Sequence, residues 1–128
     1  MLFFSLHTDI FFPFINWYSF SLFFPPPPPP SLQNSDGWTA LHRAAEKGHD
    51  TVIPLLLEAD AQIDAQDKDG NTPLIMASMI GKEAAVRELL KGNPNLDLKD
   101  EDGKTALDYA RKKNHQNIVN LLVDHKRS

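Results

Sequence analysis

Several short stretches of this 128-residue chain hold residue types that do chemistry in proteins. Asp67-Lys68-Asp69-Gly70 sets two carboxylates before a glycine, as a calcium loop does. Such a loop needs oxygen ligands at its first and twelfth places with the glycine sixth. Counted from Gly70, those places hold Ala65 and Met76, neither of which offers a side-chain oxygen. Gly103-Lys104-Thr105 has the closing order of a phosphate-cradling loop, but the position of the opening glycine is Leu98. His42, His49, His115 and His125 show no metal-ligand spacing, and no Ser or Thr sits in a His-plus-acid setting beyond chance. With no cysteine, there is no thiol nucleophile, Cys-ligated zinc or disulfide. No catalytic residue, metal, cofactor or small-molecule substrate is expected.

The elements that would position any site divide the chain in two. The net charge of −4 gives no overall electrostatic footprint for nucleic acid, so none is expected as a partner. The length points to one domain, yet the composition is uneven. All 8 Phe lie within residues 1–24, Pro25–Pro30 form an unbroken run, and the first Lys or Arg is Arg43. A membrane-spanning helix needs about 20 apolar residues in a row, and His7, Asp9, Pro13 and Asn16 interrupt this stretch. A basic start and a small-residue cleavage site, the marks of a secretory signal, are not evident. Membrane contact, which is not expected, would run through residues 1–24 alone. The proline run should form a stiff polyproline II spacer of about 3.1 Å per residue. Phe, Leu, Ser and Pro are encoded by pyrimidine-rich codons, and Gln33 closes the tract as CAG closes a splice acceptor. Residues 1–33 are thus expected to be a low-complexity segment, either disordered or retained intron sequence that has replaced an upstream exon.

Residues 34–128 repeat. Offset by 33, Asp36-Gly37-Trp38-Thr39-Ala40-Leu41 aligns with Asp69-Gly70-Asn71-Thr72-Pro73-Leu74 and with Asp102-Gly103-Lys104-Thr105-Ala106-Leu107. Ala44, Ala77 and Ala110 coincide, as do Leu56, Leu89 and Leu122, which makes six columns identical in all three copies without a gap. Self-similarity at such a period marks a stacked array. Each Asp-Gly pair suits a tight turn with positive φ at the glycine. Thr39, Thr72 and Thr105 suit helix N-caps, and Pro73 suits a first helical position. The short first helix should end at Gly48, Gly81 and Asn114, which tolerate a left-handed C-cap.

A second helix should begin near Asp50, Glu83 and Gln116 and bury one stripe: Val52, Ile53, Leu56 and Leu57; Ala85, Val86, Leu89 and Leu90; Ile118, Val119, Leu122 and Val123. Asp60 and Asn93 should then turn left-handed. Pro54 predicts a late start or a kink in its helix, because its ring presses on a carbonyl four residues back.

Turn, Thr-Pro-Leu, helix, loop and helix at this period resemble the ankyrin repeat. The motif reads DGWTALHRAAEKGH, DGNTPLIMASMIGK and DGKTALDYARKKNH. The resemblance implies an all-α solenoid of three helix-turn-helix units joined by β-turn tips, at about 36–68, 69–101 and 102–128, behind an irregular N-terminal extension. The motif's histidine survives only as His42, with Ile75 and Asp108 in its place elsewhere, so a histidine hydrogen-bond ladder between repeats is expected to be lost.

The resemblance also implies a non-catalytic protein-binding module or adaptor in the cytoplasm or nucleus, whose partner, another protein, meets the turn tips and first helices. Alternatives are an assembly or regulatory factor of the proteasome-associated ankyrin type, a membrane-tethered adaptor, and an enzyme whose catalytic domain lies elsewhere. Carried over by position, the surface comprises Ser35, Asp36, Trp38, Glu46 and Lys47; Lys68, Asp69, Asn71, Met79 and Ile80; Glu101, Asp102, Lys104, Lys112 and Lys113. Met79 and Ile80 are apolar at normally exposed places and mark a contact centre. Trp38 is either an interface anchor or a cover for its own turn. Asp64, Asp67, Asp69, Asp97, Asp100, Glu101 and Asp102 would favour a basic partner, although Asp is also simply a good turn residue.

End repeats should be polar outward. Arg111, Lys112, Lys113, Asn114, Gln116, Asn117 and Asn120 meet that rule, and Lys126 and Arg127 extend a basic, solvated end. Ala44-Ala45, Val52-Ile53 and Leu55-Leu56-Leu57 look like an internal repeat awaiting a neighbour.

Overall fold

A computed structural model describes residues 32–127. The expectations for the front piece fall on residues 1–31, outside the described residues. Six helices alternate between two layers. The inner layer is α1 (Ala40–Lys47), α3 (Pro73–Ile80) and α5 (Ala106–Lys112); the outer layer is α2 (Val52–Glu58), α4 (Glu83–Lys91) and α6 (Gln116–Arg127). Each inner helix packs on its own outer partner, and α3 packs on both α1 and α5.

The three threonines start the inner helices as their column predicts. The hydroxyl oxygens of Thr39, Thr72 and Thr105 accept from the backbone N–H of His42, Ile75 and Asp108 at 3.3, 3.1 and 3.3 Å. A cap of this kind contributes about 1 kcal/mol. Pro73 occupies the first turn of α3. Gly48, Gly81 and Asn114 follow the helices in the left-handed region, and Asp60 and Asn93 do so after the outer helices. Pro54 delays α2: it begins at Val52, two positions after the place corresponding to Glu83. Pro54 therefore lies in a first turn, where its missing N–H breaks no helical bond.

The core runs along the stack through Leu41, Ala44, Ala45, Ile53, Leu74, Ala77, Ala85, Val86, Leu89, Ala110, Ile118 and Leu122. Helix α3, held between neighbours on both sides, is buried from Pro73 to Ser78. The stripe predicted for α2 needs a correction, because Val52 is 38% exposed. In the same column Ala85 and Ile118, each with a repeat before it, are buried, whereas among the described residues no repeat precedes repeat one. The repeat-one surface awaiting a neighbour shrinks accordingly. Ala44, Ala45 and Ile53 are buried and Leu56 and Leu57 half-buried, which leaves Val52 and Leu55 facing outward.

The turns are bound to one another by backbone. The Lys68 N–H donates to the Asp36 carbonyl (3.1 Å) and the Glu101 N–H to the Asp69 carbonyl (2.9 Å). Inside each turn a side chain two residues before the Asp-Gly pair's aspartate accepts two N–H groups: Asn34 from Asp36 and Trp38, Asp67 from Asp69 and Asn71, Asp100 from Asp102 and Lys104. Gln33 Nε2 donates to the Gly37 and Gln66 carbonyls, and Gln66 Nε2 to the Gly70 and Lys99 carbonyls. Gln33, assigned from sequence to the front piece, thus touches the stack.

Close stacking sets the glycine requirement. At Gly70 (φ 82°) a Cβ would lie 3.0 Å from Asp100 Cα and 3.1 Å from Glu101 N, whereas at Gly103 (φ 74°) it would meet nothing within 4 Å. An L-residue in this region costs about 1–2 kcal/mol at either site. Gly70→Ala must in addition push the next repeat away. Urea unfolding should show a larger fall in midpoint for Gly70→Ala than for Gly103→Ala; equal falls would mean that the turns do not pack as described.

Candidate protein-binding surface

The turn tips and the C-terminal ends of the inner helices form the row that the resemblance nominates. Three columns 33 residues apart run along it: Glu46, Met79 and Lys112; Lys47, Ile80 and Lys113; Trp38, Asn71 and Lys104. Lys47, Lys68, Asp69, Glu101, Asp102, Lys112 and Lys113 are exposed, as are Ser35 and Asp36, and Glu46, Met79 and Lys104 are half-buried. Met79 packs in part against the core, while Ile80 is 44% exposed. The apolar pair is therefore split, with Ile80 offering the open surface.

Trp38 is half-buried. Its ring stacks on His42 at 6.4 Å between centroids, with the Arg43 guanidinium 4.9 Å from the ring centroid. Arg43 also pairs with Glu46 at 2.9 Å. Asn71 is largely structural: its N–H goes to Asp67 and its carbonyl accepts from His42, and its Oδ1 is buried without a hydrogen-bond partner among the described residues.

The histidine contacts between repeats come down to the one that His42 makes, a single rung with no ladder. His42, fully buried, places Nε2 2.8 Å from the Asn71 carbonyl and Nδ1 3.1 Å from the Thr39 N–H. Because the Thr39 N–H can only donate, Nδ1 must accept, and the proton sits on Nε2. Asp108, at the same position of repeat three, accepts from the Thr105 N–H (3.0 Å) and makes no such reach forward.

Acidity at the tips is partly committed to backbone. Asp67 and Asp100 hold their turns, and Asp64 accepts from the Asn95 N–H at 3.0 Å. Burial works to raise the Asp100 carboxyl, but the Tyr109 hydroxyl and the Lys104 and Asp102 N–H groups together hold it below the usual carboxylate range. The Tyr109 hydroxyl donates to Asp100, which pushes its own pKa up to about 12. Asp97 pairs with Lys126 at 3.2 Å, so the basic end is not wholly solvated. The shared signal was the offset itself: Asn34, Asp67 and Asp100 stand 33 apart, as do Gln33 and Gln66, but an Asn in place of Asp hides the first series from an identity search.

Among the described residues no group of three or more His, Cys, Asp or Glu is placed to hold a metal ion, and no helix is long and apolar enough to cross a membrane. Grooves of about 290 and 370 Å³ lie on the outer layer, lined by Pro54, Leu57 and Gly92 and by Leu90, Leu121 and His125 among others. Neither overlaps the nominated row.

A family profile for ankyrin repeats in three copies matches residues 55–128, and a second ankyrin-repeat profile matches residues 29–77. The chain belongs to the ankyrin-repeat family. No curated protein gives a significant match along this ankyrin-repeat chain. Ankyrin repeats are generally protein-binding modules, and the all-helical stack of paired helices is the architecture of this one.

The His42 contact makes stability depend on pH in a defined direction. Burial holds the His42 pKa below its ordinary value of 6.5, against the opposing pull of the Asn71 carbonyl and Asp67. Below that value the unfolded chain takes up a proton that the folded chain resists, so this contribution is present above it and is lost as pH falls. A proton on Nδ1 would also set two donors against each other at Thr39. The melting temperature should fall between pH 7 and pH 5, and His42→Gln should flatten that slope; a variant with an unchanged slope would show that His42 is not responsible.

Proposed function

We propose that this chain is a non-catalytic adaptor that binds another protein across the turn tips and inner-helix ends, in the cytoplasm or nucleus. The observation that carries the reading is Ile80. The large residues of α3 from Pro73 to Met76 are buried and Met79 is half-buried, whereas Ile80 is 44% exposed in the middle of the row. An apolar side chain at the centre of an otherwise polar surface is what an interface uses as an anchor. Met79, its neighbour in the chain, is partly buried against the core. Lys68, Asp69, Glu101 and Asp102 would form the polar rim at the tips. Asn71 and Trp38 would shape the row more than contact the partner, since the first is committed to His42 and the second stacks upon it.

Proteins captured from cell extract by the full chain provide the test. Ile80→Asp should reduce their retention by about tenfold or more, as loss of an interface anchor does, without lowering the melting temperature. Leu55→Asp, at an exposed site of the outer layer (63%), should leave retention unchanged. Retention indifferent to Ile80→Asp but lost in Leu55→Asp would move the binding face to the outer helices.

A further inference from the structure

Resting on that surface, the arrangement of charge around its anchor narrows the partner's chemistry. Column by column, Ile80 stands between Lys47 one repeat before and Lys113 one repeat after, and Met79 has Lys112 on its later side. All three lysines are exposed. The ion pairs among the described residues use other cations: Arg43, Arg87, Lys91 and Lys126. Glu46, the acid nearest Lys47 in this row, is taken by Arg43. Lys104 lies at the adjoining tip with its ammonium 5.7 Å from the Tyr109 ring centroid. Lys104 is the main influence that holds the Lys112 pKa below its ordinary value. Apart from Glu46, the acids of this row lie at the tips, where Asp67 and Asp100 are bound to backbone.

We propose that the partner presents an extended acidic segment with one apolar side chain seated on Ile80 and carboxylates on either side of it, reaching Lys47 in one direction and Lys112 and Lys113 in the other. Packed helices stand about 8–10 Å apart, and an extended chain advances about 3.3 Å per residue. The carboxylates therefore fall about three residues before and after the apolar one. Charge complementarity of this kind selects the partner and speeds encounter more than it adds affinity, so binding is sensitive to salt.

Selection of random peptides displayed on phage against the full chain, followed by affinity measurement on the enriched peptides, is the experiment. The expected result is enrichment of an apolar residue flanked by Asp or Glu about three positions away on both sides. Binding of such a peptide should fall about tenfold in Lys47→Glu plus Lys113→Glu, two exposed contacts turned repulsive, with the melting temperature retained. Asp69→Lys at the tips should not weaken it. Enriched peptides that are basic, that carry acids at another spacing, or that ignore the double lysine reversal while still losing affinity in Ile80→Asp would overturn this inference and leave the binding surface standing. A failure to enrich any peptide, or enriched peptides indifferent to Ile80→Asp, would overturn both.

Discussion

The burial of each repeat's apolar columns by the next repeat is what holds this molecule together. A single pair of helices as short as α1 and α2 is marginal in water, and its Leu and Ala faces would stay wet. Stacked, the column Ala44, Ala77 and Ala110 becomes almost wholly buried, because a methyl group lets adjacent inner helices approach closely. The column Leu56, Leu89 and Leu122 shows the same dependence from the other side: Leu89 and Leu122 are closed off, while Leu56, in the repeat that lacks a forerunner among the described residues, is only half-buried. Val52 makes the point again, exposed where Ala85 and Ile118 are covered. Side chains of one type differ in burial according to whether a neighbour is present.

Polar contacts then fix the register that burial alone would leave loose. The Lys68–Asp36 and Glu101–Asp69 backbone bonds and the Gln33–Gln66–Lys99 series join equivalent atoms of successive turns. His42 ties the cap of α1 to the turn of the second repeat. Apart from the Asn71 carbonyl, which also accepts from the Asp67 N–H in its own turn, these contacts satisfy backbone groups that would otherwise lack a partner, and leaving such a group unmade inside the protein costs about 1–3 kcal/mol. Because these bonds consume Asp67, Asp100 and Asn71, the residues left to face a partner are fewer than the row suggests. In sequence register, the surface that remains sets Ile80 between Lys47 and Lys113, with Glu46 paired to Arg43 and the other acids at the tips.

Much of this was legible in the sequence because a repeat states each structural requirement three times. The threonine caps, the left-handed positions at Gly48, Gly81, Asn114, Asp60 and Asn93, and the late start of α2 at Pro54 all follow from local stereochemistry, which single residues encode. What escaped depends on space between repeats. Val52 is apolar whether or not a neighbour covers it. The turn acceptors read as surface acids until Asn34 is placed beside Asp67 and Asp100. His42 keeps its contact because its target is the Asn71 carbonyl, which exists whatever side chain follows in Ile75. On the candidate surface, the positions were readable by register, but the division between half-buried Met79 and open Ile80 needed the packing.

If solidity comes from adjoining copies, removing one must loosen those that remain. The direct measurement is urea unfolding, followed by circular dichroism, of the full chain beside a chain ending at Glu101. Without α5 and α6, the α3 and α4 side chains that face them lose their cover, and three repeats are about the minimum for stability. The shortened chain should lose its cooperative transition, or show it at a markedly lower midpoint with less helix per residue. A shortened chain with the same midpoint and the same helicity per residue would contradict the account, since each repeat would then stand without its neighbour.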